Sequence, residues 1–218
     1  MGTLLYLVTI AIQFTIGLAL SNIPVKCIFR DGNYSNSLNT ITTNPINIDH
    51  NGWILQIDDV KSLGMNSAIL DDLSINFDTK VEQITFHTDM EVTFNYKTDG
   101  TLFSKPIEGE GPAEVQIKNI QMYMNMHFEI IEKDGNKYFD LKDFDISYNI
   151  RGMAEFTFSN LYYGDKEQSD TMHSLINENW KDFIAEFGMF FFSEFGASLF
   201  KVFKDYDLDT PIRSSSSC

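Results

Sequence analysis

The chain has 218 residues, 43% hydrophobic and 14% aromatic, which suits one sizeable core and excludes a disordered chain. Lys and Arg number 16 against 31 Asp and Glu, a net charge of −15, so nucleic acid and anionic membrane surfaces are excluded as partners. The only cysteines, Cys27 and Cys218, exclude a disulfide scaffold; one bridge, two free thiols or an intermolecular bridge all remain open.

Residues 1–21 carry no charged side chain, and Leu4 to Leu20 is nearly unbroken apolar sequence ending in Ala19-Leu20-Ser21, small residues where a signal peptidase reads. The pattern predicts a secretory signal over 1–21 and hence a secreted, extracellular protein. An uncleaved membrane anchor is the alternative, because the run approaches spanning length. A single domain over 22–212 and a disordered polar tail over 213–218 complete the expected organisation. Residues 22–51 are rich in Asn, Ser and Thr, which predicts extended or turn structure, and Asn33-Tyr34-Ser35 is a glycosylation sequon at Asn33.

Asn51-Gly52 predicts a turn, and Trp53 to Leu63 a strand of mixed facing. From Glu82 to Tyr96 the residues Ile84, Phe86, Met90, Val92, Phe94 and Tyr96 share one parity while polar residues hold the other, a period of two that no helix produces. Lys97-Thr98-Asp99-Gly100 predicts a hairpin turn into Thr101 to Ile107. A second alternating run sets Ile120, Met122, Met124, Met126, Phe128 and Ile130 on one face, and Lys133-Asp134-Gly135-Asn136 turns the chain again. A third holds Phe144, Ile146, Tyr148, Ile150, Ala154, Phe156 and Phe158, with a bulge or bend expected at Gly152. After Gly164 the period changes to three or four: Met172, Leu175, Ile176, Trp180, Phe183, Ile184, Phe187, Phe191, Phe195, Leu199 and Phe203 predict one helix of about seven turns, from Ser169 or Asp170 to just before Pro211. Strands first and a long helix last predict an α+β fold, a curved antiparallel sheet against one helix.

Enzyme signatures fail at each candidate. Gly196-Ala197-Ser198 lacks the closing glycine of a nucleophile elbow, with Phe200 in its place, and Gly109-x-Gly111 has Glu114 where a dinucleotide fingerprint needs glycine. His50, His87, His127 and His173 show no paired metal spacing, and Asp205-x-Asp207-x-Asp209 lacks the glycine and terminal glutamate of a calcium loop. Neither a metal nor a cofactor is expected. The Met122, Met124, Met126 stripe fits either plain core or a wall that repacks around ligands. Asn177-Glu178-Asn179 fits a solvent face or hydrogen bonding to a ligand or strand.

Three further motifs carry a resemblance: Pro106-Ile107-Glu108-Gly109-Glu110-Gly111, Asn160-Leu161-Tyr162-Tyr163-Gly164, and Ile176-Asn177-Glu178-Asn179-Trp180. Together they are similar to the insect takeout and juvenile hormone binding protein family, over about Ile46 to Ile212. The resemblance implies a highly curved antiparallel sheet wrapped around a long C-terminal helix, as in the tubular lipid-binding folds, with the first motif in a loop. It also implies an internal tunnel for a hydrophobic small molecule such as juvenile hormone, a terpenoid or a fatty-acyl-like ligand, with roles in feeding or circadian behaviour. Members of the family carry two N-terminal cysteines and a helix closing one tunnel end; here Cys27 stands alone and residues 30–45 are short and polar.

The pattern and the resemblance together predict a non-enzymatic secreted carrier. Its expected wall residues are Phe86, Met90, Val92, Phe94, Met122, Met124, Met126, Ile146, Tyr148, Ile150, Trp180, Phe183, Phe187 and Phe191. The alternative is an extracellular interaction or signalling protein with a filled or truncated tunnel and a receptor as partner. A lipid hydrolase would have only Ser198 and His173 to work with.

Overall fold

The computed structural model describes residues 23–24 and 36–212. The expected signal, Cys27, Asn33, Cys218 and the tail lie outside the described residues.

Nine strands form one antiparallel sheet: β1 (Ile23–Pro24), β2 (Ile41–Thr42), β3 (Ile46–His50), β4 (Trp53–Leu63), β5 (Ile69–Asn76), β6 (Val81–Leu102), β7 (Lys105–Lys133), β8 (Asn136–Ile150) and β9 (Ala154–Phe158). Two helices follow, α1 (Lys166–Glu178) and α2 (Trp180–Asp209). The fold is α+β, as the order of elements predicted.

β6 and β7 are the spine. At 29 residues, β7 drawn out straight would run roughly 95 Å, so it must coil to fit a domain of this size. The coil is produced at a crease that crosses the sheet. In β7, Lys118 and Asn119 together oppose the single residue Asp89 of β6, and Asn119 has φ 50°. The Asp89 carboxylate holds that bulge, accepting from Asn119 N–H at 2.8 Å and from Lys118 Nζ at 3.2 Å. Those bonds hold the Asp89 carboxyl below the usual range, the Asn119 contact contributing most. On one side of Asp89 lies Gly64, just past β4, and on the far side of Lys118 lies Gly152, between β8 and β9. A Cβ at Gly64 would meet the Asp89 carbonyl oxygen at 2.1 Å, and one at Gly152 the Lys118 carbonyl oxygen at 2.5 Å. The bend expected at Gly152 is therefore one end of a line running across four strands' worth of backbone.

The bulge also explains a difference from expectation. Inward residues of β7 are odd-numbered before it (Ala113, Val115, Ile117) and even-numbered after it (Ile120, Met122, Met124), so one strand looks like two unrelated segments. The strand β4 has the same feature at Asp59, φ 50°, which accounts for its mixed facing. The hairpin turn is not at Lys97–Gly100: pairing continues to Leu102 opposite Lys105, and Phe103-Ser104 make the turn with φ of 50° and 61°. Gly100 serves the neighbouring strand instead, since a Cβ there would lie 2.0 Å from the Gly52 carbonyl oxygen. Asn51-Gly52 and Asp134-Gly135 do turn their hairpins, all four residues having positive φ.

Two of the three motifs meet in space, and the third docks on β9 beside them. Pro106–Gly111 is part of β7, not a loop, and residues 159–162 dock on it: Asn160 Nδ2 donates to the Glu110 carbonyl at 2.9 Å and the Tyr162 hydroxyl to the Pro106 carbonyl at 2.7 Å. Gly109 and Gly111 permit the approach, because a Cβ at either would stand 3.0 Å or less from the backbone of Asn160 or Ser159. Asn177 then completes the free edge of β9. Its Oδ1 accepts from Phe156 N–H at 2.7 Å and its Nδ2 donates to the Phe156 carbonyl at 3.0 Å, as a neighbouring strand would. One turn earlier, His173 Nδ1–H donates to the Ser169 carbonyl at 2.8 Å, leaving Nε2 to accept from Phe158 N–H at 2.9 Å. Of the two readings of Asn177, strand hydrogen bonding is the one found. Replacing Asn177 with Ala strands both Phe156 groups and is expected to destabilise the protein by about 2 kcal/mol, read from urea unfolding, with faster amide exchange at Phe156.

The helical run begins at Lys166, earlier than expected, because Asp165 caps it by accepting from Gln168 N–H at 3.1 Å. It is also two helices, not one. Asn179 adopts φ −109° and ψ 27°, and its Nδ2 donates to the Leu175 carbonyl at 2.8 Å, competing with the backbone ladder. The second helix, about 45 Å long, lies inside the curl of the sheet. Tyr148 of β8 donates to the Ile184 carbonyl at 3.1 Å on one side; Asn44 and His50 reach Glu194 and Glu186, each at 3.0 Å, on the other. Gly188 and Gly196 face β8, where a Cβ would strike the Tyr148 hydroxyl at 2.3 Å or Ile146 and Phe144 at 2.9 Å.

Candidate functional site

The crease divides the inner face into two halves. On the side nearer Trp53, the sheet and α2 leave an apolar cavity of about 80 Å³, and about 670 Å³ of unfilled space when its opening is counted. Every side chain lining it is uncharged. The floor is built by alternation: Ile46 and Ile48 from β3, Leu55 and Ile57 from β4, Val92 and Phe94 from β6, Val115 and Ile117 from β7, Phe156 and Phe158 from β9. The roof is one stripe of α2, Phe183, Phe187 and Phe191 with Ile184, Gly188 and Phe192.

Aromatic edge contacts organise the wall. Trp53 meets Phe187 with ring centroids 4.5 Å apart in T-shaped contact, Phe156 meets Phe183 at 4.9 Å, and Phe183 meets Phe187 at 5.1 Å. The Trp53 indole would bury a donor, but Nε1 donates to Thr98 Oγ1 at 2.7 Å and that hydroxyl donates to the Ile54 carbonyl at 3.0 Å. The Tyr96 hydroxyl donates to the Ser159 carbonyl at 2.9 Å, and burial, then Tyr163, raises its pKa above the ordinary phenol range. Such a cavity can exclude water from an apolar molecule, and its lining side chains include no acid, base or nucleophile. Both ring nitrogens of His173 are engaged, Nδ1 by the Ser169 carbonyl and Nε2 by Phe158 N–H.

Of the expected wall residues, Val92, Phe94, Phe183, Phe187 and Phe191 line this cavity. Tyr148, Ile150 and Trp180 line a separate open groove on the other side of α2, shared with Lys181 and Met189. Met90 is buried opposite Ile117, beside the crease. Phe86, Met122, Met124, Met126 and Ile146 lie beyond it: Met122 stands between Phe86 and Tyr148, Met124 between Ile84 and Ile146, with all three methionines fully buried. The structure therefore brings the helix stripe together with β6, and sets the methionine stripe in the other half. The residues of β3, β4 and β9 were not in the expected wall, although Ile46-x-Ile48 and Trp53-x-Leu55-x-Ile57 alternate as clearly as β6 does.

The model of the family described as haemolymph juvenile hormone binding protein matches residues 32–209. The crystal structure of Takeout 1 from Epiphyas postvittana superposes with a TM-score of 0.77 at 24% identity, covering 94% of this chain and 92% of that one. The circadian clock-controlled protein daywake of Drosophila melanogaster is 26% identical over 102 residues, and daywake of Drosophila yakuba 27% over 93. Those segments are 46% and 42% of this chain and only 39% and 35% of the curated relatives' own lengths.

Proposed function

This chain belongs to the haemolymph juvenile hormone binding protein family, and from that premise we propose that it is an extracellular carrier of a neutral hydrophobic small molecule held between α2 and the sheet. The observation that carries this reading is the uncharged lining of the cavity. An ionised carboxylate there would lose its hydration with no cation to meet it, so an ester, ketone, alcohol or hydrocarbon fits better than a fatty acid anion. Binding energy comes from removing methylenes from water, about 0.8 kcal/mol for each. Terpenoids, juvenile hormone among them, are of this class. A role in feeding or daily rhythm draws its support from the clock-controlled description of the daywake relatives.

At about 80 Å³ the cavity is smaller than most ligand sites. That favours one second reading, an extracellular interaction protein whose own phenyl rings fill the space. Under the carrier reading, Phe183, Phe187 and Phe191 turn aside as the ligand enters. Native mass spectrometry of the secreted protein before and after organic extraction separates the two. Loss of a few hundred daltons, with uptake of N-phenyl-1-naphthylamine by the extracted protein, is expected of a carrier; no loss and no uptake supports the interaction protein. Val115→Phe, which places a ring in the void, is expected to weaken probe binding at least about tenfold while the protein stays folded.

A further inference from the structure

The apolar cavity and the open groove are separated by a thin wall. Ile184 lines both spaces. Tyr148 lines the groove, and its ring lies against Phe192 with centroids 3.9 Å apart. Its hydroxyl donates to the Ile184 carbonyl at 3.1 Å and stands 2.3 Å from where a Cβ on Gly188 would be. Phe192, Ile184 and Gly188 all line the cavity. Tyr148 is thus a side chain that faces one space and touches three residues lining the other.

Each space supplies what the other lacks. The cavity, about 80 Å³, is apolar throughout and smaller than most ligand sites. The groove, about 570 Å³, has the room, and its lining mixes Trp180 and Met189 with Ser147, Asn149 and Lys181. Opened into one another, they fall in the range of roughly 300–1,000 Å³ that ligand sites occupy. The joined space would have an apolar inner end and a polar outer end in contact with water.

Little opposes such an opening. Tyr148 is only partly buried, so its released hydroxyl meets water in the groove. The Ile184 carbonyl keeps its helical partner, the N–H four residues on, and no buried group is stranded. Gly188 makes room for the closed position, because any side chain there would push the hydroxyl away.

We propose that the groove and the cavity are the outer and inner chambers of one ligand site, with the Tyr148 side chain as the door between them. The occupant is a neutral lipid with an oxygen function at one end. Its hydrocarbon end passes Tyr148 into the cavity, and its oxygen end stays among the polar groups of the groove, where it keeps its hydration. This rests on the carrier reading above and deepens it by naming the way in and the orientation of the ligand.

The test follows N-phenyl-1-naphthylamine fluorescence by stopped flow, using the full secreted chain after organic extraction. Tyr148→Phe removes the latch, and Gly188→Ala displaces the hydroxyl from the opposite side. Each is expected to speed both uptake and release of the probe about tenfold, the worth of one neutral hydrogen bond. Faster release with unchanged uptake would be lost affinity alone and overturns the door. Ala185 lines the groove and not the cavity, so Ala185→Trp fills the outer chamber only and is expected to weaken probe binding about tenfold. Asp165→Ala, which loosens α1 by removing its cap, is expected to change neither rate. Unchanged rates in Tyr148→Phe and Gly188→Ala, or equal acceleration in Asp165→Ala, overturn the door; full probe affinity in Ala185→Trp overturns the outer chamber. All of these leave the carrier reading standing. Failure of the wild-type protein to take up the probe at all overturns the carrier reading and the two chambers with it. Thermal unfolding of each variant keeps a folding defect from passing as a change in rate.

Discussion

Gly64→Ala is expected to destabilise the protein by about 3 kcal/mol or more and to lower its thermal midpoint by roughly 10 °C. Two effects add. Gly64 has φ 114° and ψ −22°, a conformation that a side chain resists, and the new methyl would stand 2.1 Å from the Asp89 carbonyl oxygen. That oxygen cannot retreat, because Asp89 is the residue around which the β7 bulge is fastened through Asn119 and Lys118. The Gly64 carbonyl is itself engaged by Thr88 Oγ1 at 2.9 Å and by Ser67. Gly135→Ala is the control: it shares a positive φ of 74° but nothing lies within 4 Å of its Cβ position, so only about 1 kcal/mol is expected. Equal midpoints for the two variants in a thermal melt would remove the close contact at the crease as the cause.

A second large effect is expected from pH. Glu82 shares the inward parity of Ile84 and Phe86 at the far end of the sheet, and Asp207 faces it from the last turns of α2. Burial pushes Glu82 up to about 7, and burial followed by the Glu82 charge pushes Asp207 up to about 9. Both are raised above their unfolded values, so the native state holds more protons than the unfolded one between about pH 4 and pH 9. Stability from this pair is therefore full on the acid side and is lost as pH rises through that window. A decrease on the order of 3 kcal/mol between pH 5.5 and pH 8.5 is expected in urea unfolding. Glu82→Gln with Asp207→Asn should flatten the profile and leave the double variant the more stable protein at pH 8.5. If the wild-type and double-variant profiles run parallel, the carboxyl pair is not the source.

The sequence was most legible where one residue occupied each pleat. The parity of β6 survives from Ile84 to Leu102 because its partner takes up the extra residue at the bulge, and the inward face of β8 and β9 was likewise visible. It was least legible where the backbone broke the period. In β7, Pro106, Gly109 and Gly111 resemble a loop in composition, and the parity change at Lys118-Asn119 hid the strand's continuity. Phe103-Ser104 carry none of the usual signals for two positive-φ residues. The helix stripe gave Phe183, Phe187 and Phe191, but periodicity reports only which face turns inward. It does not report how far the helix stands from the sheet, and that distance decides whether an inward residue meets a void or a neighbour. The methionine stripe and the Val92 row look equally apolar in sequence and differ in what lies above them.

The β6–β7–β8 meander has a consequence for how the chain reaches its native state. Phe103-Ser104 and Asp134-Gly135 join strands that pair from the turn outward, so each new rung closes a loop only slightly larger than the last. Loop-closure entropy grows slowly with length, and pairings between sequence neighbours are the fastest to form. The largest part of the sheet can thus zip together from two local nuclei, without waiting for contacts between distant parts of the chain. The long-range step is left to the end of the sequence, where α2 arrives to fill a trough already built.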